Sequence, residues 1–405
     1  MPDILSNLNI ENFYYTLPEE KIAKYPLEQR DQSQLLVYRN GRITDDIFMN
    51  LSNYLPKNNL LIYNETRVIQ ARLVFRKPTG SEIEIFCLEP LIPADYALMF
   101  LQKKPVIWKC LVGNIKKWKE VFLYLAIDNG NDKIVLKATK IANHGTWHEI
   151  QFDWEPQTIS FAEVLELTGH TPIPPYLKRD SEDLDKMRYQ TIYSQFNGSV
   201  AAPTAGLHFT PSLFEKLENN GFQYIGITLH VGAGTFKPVI TEKISEHEMH
   251  SETFFINRNV ISHLITMASK IIAVGTTTLR ALESLYWSGI KLKEGLSEPF
   301  FINQWEWTRL PGKYSLIESM TAIERYMNKN NISEIKARTA IMITPGYDFK
   351  MIDKLITNFH QPKSTLLLLI AAFVGNDWKK IYNHALNNDY RFLSYGDGSL
   401  LYKIS

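Results

Sequence analysis

Between Val68 and Trp154 the chain is written in short runs where apolar and polar residues alternate or β-branched residues cluster: VIQARLVFRK, EIEIFCLEP, VIWKCLVGN, EVFLYLAI, KIVLKATKI and WHEIQFDW. A period of two is the mark of half-buried strands, and the intervening PTG, NIKKW and DNGND are turn signals. This block predicts a small barrel or sandwich. On either side the period lengthens to that of helices. Ser160 and Glu163 form a capping box ahead of FAEVLELT, and Thr210 with Pro211 opens PSLFEKLENN, which Gly221 stops. Asn257 can cap NVISHLITMASK, where Val260, Ile261, Leu264, Ile265 and Ala268 share a face. Strands LLVY, LLIYN, QYIGITLHV and IIAV alternate with these helices, and IIAV runs into GTTTLRALESLYW. Strand, loop and helix in succession predict an α/β fold, a three-layer main domain. The expected division is residues 1–66 and 155–405 as one discontinuous α/β domain, with 67–154 inserted as a small β-barrel domain. Residues 288–338 stand out as an extra, irregular segment holding one capped helix, SLIESMTAIERYMNKN, with Ser315 and Glu318 at its start.

Composition narrows the function classes. The 405 residues are 45% hydrophobic and 21% charged, enough for one large core or two domains. Lys plus Arg number 44 and Asp plus Glu 43, so no global field attracts a polyanion, and any such partner must be held by local patches. Cys87 and Cys110, the two cysteines, form no CxxC pair, which argues against a disulfide framework or thiolate metal site. The longest apolar run, Leu366 to Val374, is too short to cross a bilayer, and the opening residues do not resemble an export signal. A cytoplasmic protein without membrane attachment is expected; the oligomeric state is open.

Several stretches could carry chemistry. VAAPTAGLHFT, Val200–Thr210, surrounds His208 with Pro203, Thr204, Ala205 and Gly206, an irregular loop that lets something approach closely. TLHVGAGTFKPV places Gly232, Gly234 and Thr235 after His230, but Lys237 stands where a dinucleotide loop needs its third glycine, so a tight turn is the plainer reading. HEMHSE offers His247, Glu248, His250 and Glu252. With His230 these could hold a metal, although a solvated polar loop or a polar substrate site fits the spacing better. VGTTTLRALES puts Gly275, Thr276, Thr277, Thr278 and Arg280 at a strand-to-helix junction suited to an anion, with Thr277 or Thr278 as a simple N-cap the competing reading. Asn358 and His360 precede a proline and a buried helix, and Gly396-Asp397-Gly398 reads as a turn. Lys116, Lys117 and Lys119 interleave with Trp108 and Trp118, a pattern that fits phosphate contact and base stacking or simply a charged edge.

Taken together, NETRVIQARL, RYQTIYSQFNGSVAAPTAGLHFT, TLHVGAGTFKPV, HEMHSE, VGTTTLRALES, PGYDF, LITNFHQPKSTLLLLIAAF and YRFLSYGD resemble, in order, the blocks of the S-adenosylmethionine:tRNA ribosyltransferase-isomerase family of the queuosine pathway. YTLPEEKIAKYPLEQRDQSQLLVY is similar to that family's opening block, so the resemblance spans nearly the whole chain. It implies transfer and isomerisation of the ribosyl part of S-adenosylmethionine onto 7-aminomethyl-7-deazaguanine in tRNA. The products would be epoxyqueuosine, adenine and methionine. S-Adenosylmethionine is then a cosubstrate and tRNA the partner, with no prosthetic group and no metal.

The resemblance further implies acid/base work by His208, His230, His250 or Glu252. The cosubstrate would be held by Pro203, Thr204, Ala205, Gly206, Gly232, Gly234, Thr235, Thr276, Thr277, Thr278, Arg280, Asn358 and His360. Asn64, Arg67, Arg72, Lys116, Lys117 and Asp397 would position substrate or tRNA. Two departures mark this chain: residues 288–338 are longer than the family's usual connection, and GDGSLL replaces the alanine and methionine usual after Asp397. A paralogue with another acceptor, a metal hydrolase built on His230, His247 and His250, and a noncatalytic RNA-binding protein are the competing functions.

Overall fold

In the computed structural model of the chain, residues 8–128, 133–232, 239 and 241–404 are described. Strands β1 (Gln34–Arg39), β2 (Arg42–Ile47) and β3 (Leu60–Asn64) come first, followed by the short β4 (Thr66–Val68). The next six are β5 (Arg72–Arg76), β6 (Glu82–Ile92), β7 (Val106–Gly113), β8 (Phe122–Asp128), β9 (Lys133–Asn143) and β10 (His148–Glu155), with helix α1 (Tyr96–Leu101) between β6 and β7. Helices α2 (Phe161–Thr168) and α3 (Asp183–Arg188) lead to β11 (Phe196–Ser199), α4 (Pro211–Asn219) and β12 (Gln223–His230). The remainder runs β13 (Glu252–Asn257), α5 (Arg258–Thr266), β14 (Ile271–Val274), α6 (Thr276–Lys293), β15 (Phe301–Ile302), α7 (Leu316–Lys329) and β16 (Glu334–Thr339). It ends with β17 (Lys354–Asn358), α8 (Thr365–Val374), α9 (Trp378–Asn387) and β18 (Gly398–Tyr402).

The main sheet has the order β15-β16-β13-β12-β3-β14-β17-β18-β1-β2, and its centre, β12-β3-β14-β17, is parallel. Why the central strands read as unbroken apolar runs is explained by their two covered faces. In β3, Leu60 and Ile62 enter one core while Leu61 and Tyr63 enter the other; in β14, Ile271 and Ala273 part from Ile272 and Val274 in the same way. Helices α5 to α9 cover the first face, and α4 with Phe48 and Leu51 covers the second. Three layers result. Helix α6 is buried from Thr276 to Lys291, and Gly289 lets α7 approach so closely that a Cβ there would lie 2.1 Å from Ser319 Oγ.

Strands β5 to β10 form a separate antiparallel sheet, ordered β5-β6-β7-β10-β9-β8, which curls around its own apolar core into a nearly closed barrel. Helix α2, capped by Ser160 and Glu163 as its sequence predicts, sends Phe161, Val164 and Leu165 into that core. Trp108 and Trp118 are buried there too, 0% and 2% exposed. They are packing residues, so of the two readings of this stretch the stacking of RNA bases on them is the one that does not hold. The run VIQARLVFRK also divides: β4 leaves the barrel and pairs in parallel with β11.

The junction after β14 corrects two expectations. Gly275, with φ of 92°, is the N-cap of α6, and no threonine side chain caps the helix. A positive φ is cheap for glycine and costly for threonine, so the cap falls one residue earlier than Thr276. The helix then continues to Lys293, which places Ser288 inside it and moves the start of the irregular segment beyond Lys293. Helix α7 begins with the Ser315–Glu318 capping box that the sequence predicts. Among the described residues no helix is long and apolar enough to cross a membrane.

Candidate active site

The parallel neighbours β14 and β17 end side by side, and the chain turns away from both into a cleft of roughly 700 Å³. Ligands of α/β sheets sit at such carboxyl ends of strands. Three segments converge here: the turn Pro203–Ala205, the start of α6 at Gly275, Thr276 and Thr277, and the Asn358–Gln361 loop after β17. Their residues are small or polar for a physical reason. The α6 terminus has no side-chain cap, which leaves N–H donors and the positive end of the helix dipole facing the hollow. Asn358 donates through Nδ2 to Leu393 O at 3.0 Å, and its side chain also hydrogen-bonds the buried His208 ring. His360 is held by Thr357 Oγ1 at 2.9 Å, and burial lowers its pKa.

A second hollow, an open trough of roughly 1470 Å³, lies between the barrel and the edge of the main sheet. Tyr96, Lys109 and Trp147 line it from the barrel side, and His230, His247, His250 and Glu252 from the other. The His230 ring stacks on Tyr96 with centroids 3.7 Å apart and planes within 11°. Burial, reinforced by the charge of Lys336, lowers the His230 pKa to about 4. Burial and the neighbouring His250 lower that of His247. Glu252, 2% exposed, accepts from Arg280 Nη1 at 2.8 Å, and its other oxygen lies 3.8 Å from His250 Nε2. Arg280 also donates to Ile341 O, so a buried cation and a buried carboxylate form an ion pair beside the His250 ring. The end of β12 divides the two hollows: Val231 lines the cleft, and His230 and Gly232 line the trough.

A sequence profile described as "Queuosine biosynthesis protein" matches residues 10–401. The chain belongs to that family. The S-adenosylmethionine:tRNA ribosyltransferase-isomerase of Halothermothrix orenii is 37% identical over 401 residues, 97% of this chain and 100% of that protein. The enzyme of the same name from Sulfurihydrogenibium sp. is 36% identical with the same coverage, and that from Thermotoga petrophila 37% identical over 403 residues. A crystal structure of S-adenosylmethionine tRNA ribosyltransferase from Thermotoga maritima is 30% identical, covers 96% of this chain and 99% of that one, and aligns with a TM-score of 0.44.

Within this queuosine-family chain the sequence-derived candidates separate into groups. Pro203, Thr204, Ala205, Thr276, Thr277, Asn358 and His360 share the cleft, while His230, Gly232, His250 and Glu252 share the trough. Gly234 and Thr235 lie outside the described residues. Gly206 turns away: a Cβ there would lie 1.9 Å from Tyr193 Oη, so its smallness serves a packed tyrosine rather than a ribose. Thr278 is 0% exposed inside the first turn of α6, and Arg280 is committed to Glu252, which removes both from the cleft surface. Asn64 is also structural, donating to Leu229 O at 2.8 Å and accepting from Thr66, which ties β3 to β12.

Asp397, 1% exposed, receives Gln34 N, Arg391 N and Arg391 Nη2, so it positions an arginine rather than meeting substrate. Arg72 is paired bidentately with Glu84 on the barrel. Arg67, Lys116 and Lys117 are exposed. His208 lines a third, smaller hollow rather than the main cleft. Its Nδ1 is 2.8 Å from Ser33 Oγ, and burial with the charge of Arg391 lowers its pKa to about 4, not the near-neutral value expected of a free imidazole. Among the described residues no group of three or more His, Cys, Asp or Glu is disposed to hold a metal ion. Tyr96 and Gln361 escaped sequence reasoning; a lone tyrosine in a strand-rich block carries no signal that it will stack on a distant histidine.

Proposed function

We propose that the chain transfers and isomerises the ribosyl group of S-adenosylmethionine onto the 7-aminomethyl-7-deazaguanine base of a tRNA anticodon, releasing adenine and methionine. Its full-length similarity to enzymes of that name supports the reading. The structural observation that carries it is the convergence of an uncapped helix terminus, a small-residue turn and the Asn358 side chain on one cleft. In this reading the methionine carboxylate meets the start of α6 and the hydroxyls of Thr276 and Thr277. The sulfonium and sugar lie against Pro203–Ala205, where bulk is least. Asn358 Oδ1 accepts from the adenine amino group.

The reaction begins with loss of a proton beside the sulfonium, whose positive charge acidifies the adjacent carbon. Burial makes His208 and His230 weak bases, each with a pKa of about 4. His250 is the better candidate, because a carboxylate that is itself fixed by Arg280 stands 3.8 Å from its Nε2 and would stabilise the imidazolium it forms. The test is incubation with S-adenosylmethionine and tRNA carrying the aminomethyl base, with free adenine and methionine measured. Both should appear in equal amounts, and His250→Ala should lower kcat by ~10²–10⁴-fold with cosubstrate binding unchanged. No adenine from the unaltered protein with authentic acceptor would overturn the function; full turnover by His250→Ala would overturn the assignment of the base.

A further inference from the structure

Beside the main cleft, and sharing Ser394 with it, lies a hollow of roughly 300 Å³ whose lining includes Arg30, Arg188, Arg391 and His208. The three arginines come from separate parts of the chain: a 3₁₀ turn before β1, the last residue of α3, and the turn before β18. One of them is neutralised, because Arg391 Nη2 donates to Asp397 at 3.0 Å. The other two are held by main-chain oxygens: Arg30 by Gln190 O at 2.7 Å and Met187 O at 3.2 Å, and Arg188 by Leu27 O. Carbonyl dipoles fix these guanidinium groups without cancelling their charge. Burial and the nearby Arg188 charge accordingly lower the pKa of Arg30.

One buried donor on the lining of this hollow is unmet: Arg188 Nε has no hydrogen-bond partner, while the His208 ring is tied to Ser33 Oγ and to the Asn358 side chain. An unmet charged donor is costly to bury, so two uncancelled guanidinium groups and an orphaned Nε gathered around one hollow mark a place for an anion. A hollow this small excludes a nucleoside, and suits a phosphate oxygen entering from an oxyanion held at its mouth. With a chain near neutral overall, capture of a polyanion has to be local.

We propose that this arginine hollow binds a backbone phosphate of the tRNA next to the nucleotide being modified, so that the base reaches into the adjoining cleft. The inference rests on the proposed tRNA-modifying function and adds the place where the RNA backbone is anchored. Arg30 and Arg188 supply the charge, Arg391 closes the third side with its orientation set by Asp397, and the Ser394 turn is the partition that phosphate and base straddle.

The experiment uses the full-length protein with Arg188→Gln, Arg30→Gln and the charge-keeping Arg188→Lys. tRNA binding is measured over a range of salt, and cosubstrate KM is measured in turnover. Each Gln variant should weaken tRNA binding about ten-fold, the scale of a charge-assisted hydrogen bond to an anion, and reduce the salt slope by ~0.7. KM for S-adenosylmethionine should move less than about two-fold, and Arg188→Lys should recover most of the salt slope. Unchanged tRNA affinity and slope in both folded Gln variants would overturn the proposal. So would a raised KM for S-adenosylmethionine with tRNA binding intact, which would assign the hollow to the methionine carboxylate. Unaltered protein that binds no tRNA and releases no adenine would sink the proposed function as well. Turnover by the unaltered protein, with Gln variants that bind tRNA normally, would sink the phosphate site alone.

Discussion

The cleft at the ends of β14 and β17 and the trough between barrel and sheet are neighbours of opposite character. The cleft is made of main chain, threonines and an asparagine, held by the parallel core of the sheet. The trough gathers imidazoles, carboxylates and aromatics from two sheets that fold around separate cores. Shape and neutral donors dominate the first, titratable groups the second. A reaction that must both grip a cosubstrate and move protons gains from this separation. Gripping works best with rigid dipoles that need no protonation change, while proton transfer needs groups whose charge can alter.

The largest effect that would break this contrast concerns the ion pair of the trough. Glu252→Ala leaves Arg280 buried without its carboxylate and should destabilise the protein by about 3–5 kcal/mol in denaturant unfolding. Glu252→Leu combined with Arg280→Met should recover much of that stability yet leave turnover low. Recovered turnover would show that the carboxylate serves the fold alone. Next in size, Ala205→Leu fills the cleft where Ala205 lies beside Gly275, 3.9 Å from the position of a Cβ there. It should raise KM for the cosubstrate by ~10-fold or more, with tRNA binding retained. A normal KM would move the cosubstrate out of the cleft.

The smallest effect is in pH. His208 and His230 have folded pKa values of about 4, below their ordinary 6.5, so the unfolded chain binds their protons more readily. Stability from both is complete above about pH 6.5 and is lost as pH falls toward 4. Thermal unfolding midpoints across that window should fall less steeply in His230→Phe than in the unaltered protein; identical profiles would contradict the neutral, buried ring.

Much of the architecture was legible because local signals and tertiary demands agree. Ser160 with Glu163, Thr210 with Pro211, Asn257, and Ser315 with Glu318 all cap the helices they precede. The barrel strands were legible from their alternation, although Tyr96–Leu101, read within a strand-rich stretch, forms a helix capped by Asp95. The site was legible only in part. Polar residues in loops advertise function and capping alike, and Asn64 and Asp397 prove to be spent on hydrogen bonds inside the protein, while Thr278 is buried in the first turn of its helix. Arg30, Arg188 and Arg391 had no shared local signal, since their meeting depends on how distant turns pack around His208.

The stacked rings of Tyr96 and His230 also bear on how the barrel meets the main sheet. Tyr96 rides on a helix of the barrel block and His230 on the end of β12, and a Cβ at Gly198 would lie 2.3 Å from His230 Nδ1, so Tyr96 covers one face of the imidazole and Gly198 hems in its edge. The gap between the two bodies is therefore gauged by the thickness of two flat rings. Tyr96→Ala would take one ring out of that stack and leave the barrel-facing side of the imidazole uncovered.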